Sequence, residues 1–233
     1  MARLSLLTRR IVASLMPPRC LACGDTLAPG EQSLCLLCIS SLPRAHYPLE
    51  DELNPVVNRF AGIFPFEHAT AWLIYNHDSM IGHLVQCFKY SDCPDLARVL
   101  GQRMAEELRP TGIFSGVDCI APVAQHWRRR LKRGYNQTEY LAMGIADITD
   151  LEIIDNLQAA RHHHTQTHKT LEQRRENIKG KFRVKNPDEL TGRHILLIDD
   201  ICTTGSTLTA AADALYAANP DIRLTILALA ATV

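Results

Sequence analysis

The chain has 233 residues, of which 46% are hydrophobic, and it carries 25 basic and 25 acidic side chains. This composition is sufficient for a buried core. It excludes a disordered polyelectrolyte and a protein that coats nucleic acid with a uniformly basic surface. No apolar run approaches the roughly 20 residues that cross a bilayer, so we expect no membrane span and a cytoplasmic location. The first sixteen residues mix arginines with apolar side chains, a pattern of an amphipathic helix rather than a secretion signal.

Four of the eight cysteines form two closely spaced pairs, Cys20-x-x-Cys23 and Cys35-x-x-Cys38. Each spacing lets two thiolates converge, and two such turns complete a tetrahedral all-sulfur shell, which predicts a structural zinc site. The zinc serves either a finger that binds nucleic acid or a partner, or only the folding of a segment too small for its own core. A pair of disulfides is a third alternative, which the missing secretion signal disfavours.

Beyond the cysteines, strand and helix patterns alternate along the chain, which predicts an α/β fold with a mostly parallel sheet covered on both faces. The predicted strands are 71–75, 119–123, 151–154, 195–198 and 224–230, and the predicted helices are 80–90, 94–109, 137–148 and 206–219. We divide the chain into an amphipathic helix and zinc module (1–41), a linker or hood (42–68) and a main domain (69–233). Ligands of such sheets bind beyond the carboxyl ends of the strands.

The clearest functional pattern is an apolar strand that ends in two acids and continues into a hydroxyl-rich turn before a helix. The acids are Asp199 and Asp200, and the turn contains Thr203, Thr204, Gly205, Ser206 and Thr207. Carboxylates at a strand end can accept hydrogen bonds from a vicinal diol, directly or through the waters of Mg²⁺. Backbone N–H groups at a helix N-terminus bind phosphate. Together these features predict a ribose 5-phosphate site.

Other interpretations of this pattern are weaker. The strand with two aspartates is similar to a Walker B strand, but the chain contains no G-x-x-x-x-G-K-[ST] loop, and it has no G-x-G-x-x-G motif. The acids and threonines could merely cap a strand and a helix, which does not explain why they coincide in one turn.

This segment resembles the phosphoribosyl-pyrophosphate (PRPP) motif of type I phosphoribosyltransferases. Two further stretches, Ala121-Pro122-Val123 and Arg133-Gly134-Tyr135-Asn136-Gln137, are similar to the ComF/GntX family, as is the stretch from Thr165-Gln166 to Phe182. Members of that family are linked to competence and the use of external DNA. Ala124 and His168 depart from the family's pattern, in which proline and glutamine are usual.

The resemblance implies the type I phosphoribosyltransferase fold, with PRPP and Mg²⁺ as ligands. It also implies that cations and strand-end backbone hold the pyrophosphate. The candidate anion-binding residues are Val123, Arg129, Arg130, Arg133, Lys169 and Arg174. The alternatives for these basic stretches are a solvated face or a surface that contacts DNA phosphates.

Two functions of different classes follow from the resemblance. The first is a transferase, with Asp199 and Asp200 as its candidate catalytic residues, that displaces pyrophosphate from PRPP. The second is a non-catalytic adaptor that holds a nucleotide or single-stranded DNA and recruits DNA-processing proteins. Thr203 stands where several purine-salvage relatives have a carboxylate, which argues against purine salvage.

Overall fold

A computed structural model describes residues 17–49, 53–90, 93–125, 134–159 and 180–233. The expected N-terminal amphipathic helix lies outside the described residues, as do the basic candidates Arg129, Arg130, Arg133, Lys169 and Arg174. Within the described ranges, no helix is both long and apolar enough to cross a membrane.

Helices and strands alternate through the described ranges. The helices are α1 (Leu36–Ser40), α2 (Pro55–Phe60), α3 (Met80–Tyr90), α4 (Pro94–Leu108), α5 (Gln137–Thr149) and α6 (Ser206–Ala218). The strands are β1 (His68–Ile74), β2 (Cys119–Pro122), β3 (Glu152–Ile153), β4 (Leu157–Ala159), β5 (Phe182–Val184), β6 (His194–Cys202) and β7 (Arg223–Ala231). All nine predicted elements are present, and each lies within a few residues of its expected bounds.

Five of these strands form one parallel sheet in the order β1-β7-β6-β2-β3. The central strand β6 has β7 on one side and β2 on the other, so the residues at its carboxyl end are flanked by two strand ends. The predicted parallel α/β sheet is confirmed. The antiparallel pair of β4 and β5 was not predicted, because strands of three residues are too short for a pattern of alternation.

The two faces of the sheet have separate hydrophobic cores. Leu196 and Ile198 belong to the core that contains α3, α4, α5 and the four-cysteine segment. Ile195 and Leu197 belong to the opposite core, which contains α2 and α6. Because successive side chains of a strand point to opposite faces, Asp200 continues the row on the α3 side of the sheet.

The segment predicted as a linker or hood contacts the sheet. The N–H of Ile74 donates to the carbonyl of Pro43 (2.8 Å), so the chain runs along the outer edge of β1. Asn54 caps α2 through Val56 and donates to the carbonyl of Ala69 (2.8 Å). The domain boundaries stay a prediction, and the described part of 42–68 packs against the main domain.

Helices α4 and α5 pack closely through a pair of glycines. A Cβ atom on Gly144 would lie 2.1 Å from the carbonyl oxygen of Arg98, and one on Gly101 would lie 2.3 Å from that of Leu141. Real Cβ atoms never approach backbone this closely, so neither position accepts a side chain without moving a helix.

We predict that Gly144→Ala lowers the free energy of unfolding by about 2 kcal/mol, because the methyl group forces α4 and α5 apart. The melting temperature should fall by roughly 4–8 °C in thermal unfolding followed by circular dichroism. Met143→Ala on the same helix is the matched control, since Met143 is 39% exposed. Equal stability of Gly144→Ala and the unaltered protein would contradict the packing described here.

Candidate functional site

Asp199 and Asp200 lie at the carboxyl end of β6, held there by the backbone. The N–H of Asp200 donates to Oδ1 of Asp199 (2.8 Å), and the N–H of Ile201 donates to Oδ1 of Asp200 (2.8 Å). Asp199 is 8% exposed. The strand therefore presents two fixed carboxyl groups at the edge where ligands of parallel sheets bind.

Burial raises the pKa of Asp199 well above its ordinary value, and the neighbouring charge of Asp200 raises this pKa further. Both effects oppose ionisation of Asp199, because a buried carboxylate loses its hydration and is repelled by the negative charge of a second carboxylate. Paired carboxyl groups of this kind have a strong requirement for hydrogen-bond donors or a cation, which a sugar diol or a divalent ion supplies.

Lys89 is a residue of this site that the sequence interpretation missed. Its Nζ atom lies 2.6 Å from Oδ2 of Asp200, and the two side chains are 20% and 14% exposed. Lys89 stands in the last turn of α3 and reaches across to β6. The sequence held one indication that Lys89 is unusual, because α3 contains no other Asp, Glu, Lys or Arg.

The turn after β6 exposes its hydroxyl groups and buries its glycine. Thr203, Thr204 and Thr207 are exposed, Ser206 is half-buried, and Gly205 is buried directly before the first residue of α6. The first N–H groups of a helix have no partner within the helix, so this turn can bind an anion. Binding of phosphate by this turn stays a prediction.

Gly205 is required for both conformation and space. Its φ is 74°, in the left-handed region that favours glycine, and a Cβ atom there would lie 2.8 Å from Cε1 of Phe60. Arg59, the neighbour of Phe60 in α2, donates to Oγ1 of Thr232 (3.0 Å), and Thr232 donates to the carbonyl of Thr203 (3.4 Å). Helix α2 and the end of β7 thus fix the turn from one side.

On the other side of β6, Val123 follows β2, and its N–H donates to the carbonyl of Ile198 (2.9 Å). Asn136 donates to the carbonyl of Val123 (3.3 Å) and accepts from the N–H of Thr138, which caps α5. Val123 therefore lies at the same sheet edge as the two aspartates. Its role in anion binding stays a prediction.

Tyr135 and Gln137, from the same motif as Asn136, both donate to the carbonyl oxygen of Phe88, at 2.5 and 3.3 Å. Phe88 directly precedes Lys89, so the Gly134–Gln137 stretch connects the end of β2 to the end of α3. The sequence interpretation identified this motif by resemblance and did not find its function in fixing α3.

The four cysteines come together as the spacing predicted. All four Sγ atoms lie within 4.8 Å of one another, and those of Cys23 and Cys35 are 3.8 Å apart. Sulfurs bound to one tetrahedral zinc at about 2.3 Å are about 3.8 Å apart, so the donor set fits zinc. This cluster could hold a metal ion such as zinc.

Hydrogen bonds lie within the four-cysteine cluster and also between its segment and α3. The N–H of Cys35 donates to Sγ of Cys20 (3.3 Å). Burial opposes ionisation of Cys20, but backbone hydrogen bonds from Cys23, Cys35 and Ala22 outweigh it and lower the pKa of this thiol to about 6. Next to Cys20, the carbonyl oxygen of Leu21 lies 3.2 Å from Nε2 of His83 on α3. The four-cysteine cluster therefore lies against the helix that carries Lys89.

Comparison with known proteins agrees with this geometry. Residues 138–232 match the family described as phosphoribosyl transferase domain, a range that includes β6, the turn and β7. Competence protein F of Haemophilus influenzae is 26% identical over 202 residues, which cover 82% of this chain and 87% of that protein. DNA utilization protein YhgH of Salmonella typhimurium is 26% identical over 215 residues, covering 86% and 91%. The protein of that name in Escherichia coli K12 is 25% identical over 215 residues, covering 86% and 91%.

Residues 138–232 are thus similar to the phosphoribosyl transferase domain, and a four-cysteine cluster precedes this range. The matches to Competence protein F and to YhgH extend over most of the chain and confirm the resemblance to the ComF/GntX family.

We predict that Asp199→Asn stabilises the ligand-free protein at neutral pH. The raised pKa of Asp199 means that the folded state binds more protons than the unfolded state above its ordinary value of 3.8. Stability is therefore lost as pH rises toward that raised pKa, and an amide removes this loss. The melting temperature at pH 7 should rise by roughly 2–4 °C, with the difference shrinking toward pH 4.

The control for this variant is Asp221→Asn, because Asp221 is exposed and lies at the opposite end of the sheet, before β7. Its melting temperature should follow that of the unaltered protein at every pH. An Asp199→Asn protein that is less stable than the unaltered protein at pH 7 would contradict the assignment.

We also predict that the protein, purified without chelators, contains one zinc ion per chain by elemental mass spectrometry. Cys38→Ser should lose most of this zinc and melt at lower temperature, because three sulfurs no longer close the tetrahedron. Cys87→Ser should keep it, since Cys87 lies on α3 outside the four-cysteine cluster. Two disulfides without metal would exclude the zinc site.

Proposed function

We propose that this protein binds PRPP together with Mg²⁺ and acts as a phosphoribosyltransferase-like protein linked to the use of external DNA. The observation that carries the proposal is the arrangement at the end of β6, where Asp199 and Asp200 lie directly before the turn at 203–207. A diol-binding pair next to an anion-binding turn matches the two ends of a ribose 5-phosphate.

Each part of the site has a distinct task in this proposal. Asp199 and Asp200 accept hydrogen bonds from the 2- and 3-hydroxyl groups of the ribose. The N–H groups and hydroxyls at 203–207 bind the 5-phosphate at the positive end of the α6 dipole. Gly205 keeps the backbone of the turn close to Phe60, which fixes those donors before a ligand arrives.

Magnesium fits the carboxylate oxygens at the end of β6, which are hard ligands of the kind this ion prefers. When bound with PRPP, it would neutralise charge on the pyrophosphate. The residues that would hold it, directly or through water, are Asp199 and Asp200.

Two activities would use the same site. In a transferase, the bond from the anomeric carbon to pyrophosphate breaks with its electron pair leaving on pyrophosphate, and a bond from that carbon to a nucleophilic acceptor forms. In an adaptor, the site holds a nucleotide or a single-stranded DNA end and the protein recruits DNA-processing proteins. The names of the relatives, Competence protein F and DNA utilization protein, support a DNA-linked function for either activity.

We predict that isothermal titration calorimetry detects binding of PRPP in the presence of excess Mg²⁺. Asp200→Asn should weaken this binding by about tenfold or more, because a hydrogen bond from a hydroxyl to a charged carboxylate contributes about 1.5–3 kcal/mol. Asp221→Asn is the control and should bind as the unaltered protein does. Absence of PRPP binding by the unaltered protein would overturn the proposal.

A second assay separates the two activities. Pyrophosphate release from PRPP is measured with nucleobases, nucleotides and single-stranded oligonucleotides as acceptors. Release with any acceptor that is abolished by Asp200→Asn supports the transferase. PRPP binding without turnover, together with oligonucleotide binding that weakens as salt increases, supports the adaptor.

A further inference from the structure

Lys89 forms a partly buried ion pair with Asp200 inside the proposed sugar site, and the function described so far gives this lysine no task. We propose that Lys89 binds the pyrophosphate group of PRPP, on the side of β6 opposite the turn that binds the 5-phosphate. This inference rests on the proposed binding of PRPP.

The first argument is the side from which each group approaches β6. The turn at 203–207 is fixed from the β7 side, through Thr232 at the end of β7 and Phe60 of α2. Lys89 approaches Asp200 from α3, which packs on the opposite face of the sheet from Phe60 and α2. The two aspartates therefore lie between an anion-binding turn and a cation.

The second argument is the geometry of the ribose itself. Its 2- and 3-hydroxyls occupy the middle of one edge of the ring, with C5 at one end and the anomeric carbon at the other. When the diol contacts Asp199 and Asp200 and the 5-phosphate occupies the turn, the anomeric carbon points away from the turn. The pyrophosphate on that carbon is then directed toward Lys89.

The third argument is charge. Helix α3 contains no Lys, Arg, Asp or Glu residue other than Lys89, and the side chain of Lys89 is only 20% exposed. An ammonium group has three donors, so Lys89 can keep one hydrogen bond to Asp200 and direct another at a phosphate oxygen. The pyrophosphate carries several negative charges, which a single low-exposure cation would bind strongly.

The fourth argument is that the backbone next to Lys89 is fixed. The carbonyl oxygen of Phe88 accepts hydrogen bonds from both Tyr135 and Gln137. A fixed helix end reduces the backbone entropy that is lost when a side chain of that helix end binds an anion. The Gly134–Gln137 stretch therefore positions Lys89 for a ligand.

The test compares two ligands that differ in the pyrophosphate. Isothermal titration calorimetry with excess Mg²⁺ measures PRPP and ribose 5-phosphate binding to the unaltered protein, Lys89→Gln and Lys89→Arg. Glutamine keeps an N–H donor for Asp200 and removes the cation. Lys89→Gln should raise the Kd of PRPP by about tenfold or more and that of ribose 5-phosphate by less than about threefold. Lys89→Arg should recover most of the PRPP affinity.

The matched control is Lys185→Gln, because Nζ of Lys185 forms an ion pair of similar length, 2.5 Å, with Asp155 and not with an aspartate of the site. It should leave both affinities unchanged. If Lys89→Gln weakens both ligands equally, Lys89 acts only through Asp200, and the pyrophosphate assignment is wrong. If the unaltered protein and Lys89→Gln bind PRPP equally, the assignment is also wrong, while the proposed function stands. If the unaltered protein binds neither ligand, the proposed function itself fails.

A second measurement needs no substitution and covers the case in which Lys89→Gln does not fold. The unaltered protein is treated with acetic anhydride, and acetylation of Lys89 and Lys185 is measured by peptide mass spectrometry. With Mg²⁺ present, PRPP should protect Lys89 more than ribose 5-phosphate does and leave Lys185 unprotected. Equal acetylation of Lys89 with the two ligands would overturn the assignment.

Discussion

The candidate site is organised around two carboxyl groups that lie side by side in low-dielectric surroundings at the end of the central strand. Asp199 has lost most of its contact with water, and the neighbouring charge of Asp200 further opposes its ionisation. An uncompensated charge in such a place costs several kcal/mol. The chain offsets this cost with two backbone N–H groups and the ammonium group of Lys89. A fold that only needed stability would place leucine there, as it does at Leu196 and Leu197.

The surrounding elements hold this end of β6 in place from both sides. Toward β7, Arg59 and Thr232 connect α2 to the turn, and Phe60 fills the space that Gly205 leaves. Toward β2, Asn136 connects the strand end to the first turn of α5. The turn at 203–207, the aspartates and Lys89 are thus positioned by different parts of the chain, which meet only in the folded sheet.

Sequence reasoning succeeded where the pattern is local and long. The helices at Met80–Tyr90 and Pro94–Leu108 have a clear apolar period, and β6 is a continuous apolar run that ends in Asp199. The convergence of the cysteines also follows from local spacing. In these cases, neighbours in sequence determine the structure.

Sequence reasoning failed where a contact joins distant parts of the chain or where an element is very short. The pairing of Lys89 with Asp200 spans more than a hundred residues, and a lysine at a helix end is usually solvated, so its position in the sequence did not identify this partner. Helix α2 has six residues and begins at a proline, which is typical of a loop as well as of a helix start. The role of Tyr135 and Gln137 in holding Phe88 needs the folded arrangement of α3 and α5. The anion-binding roles of Arg129, Arg130, Arg133, Lys169 and Arg174 stay predictions.

The four-cysteine segment shares a hydrophobic core with α3, α4 and the sheet, with Leu34 and Leu42 buried among their side chains. The segment consequently differs from a finger module that is joined by a flexible linker and can be transferred to another protein. A polypeptide shortened to begin after Cys38 would expose an apolar face of α3 and would aggregate more readily. Within this architecture, the four-cysteine segment is an integral part of the domain.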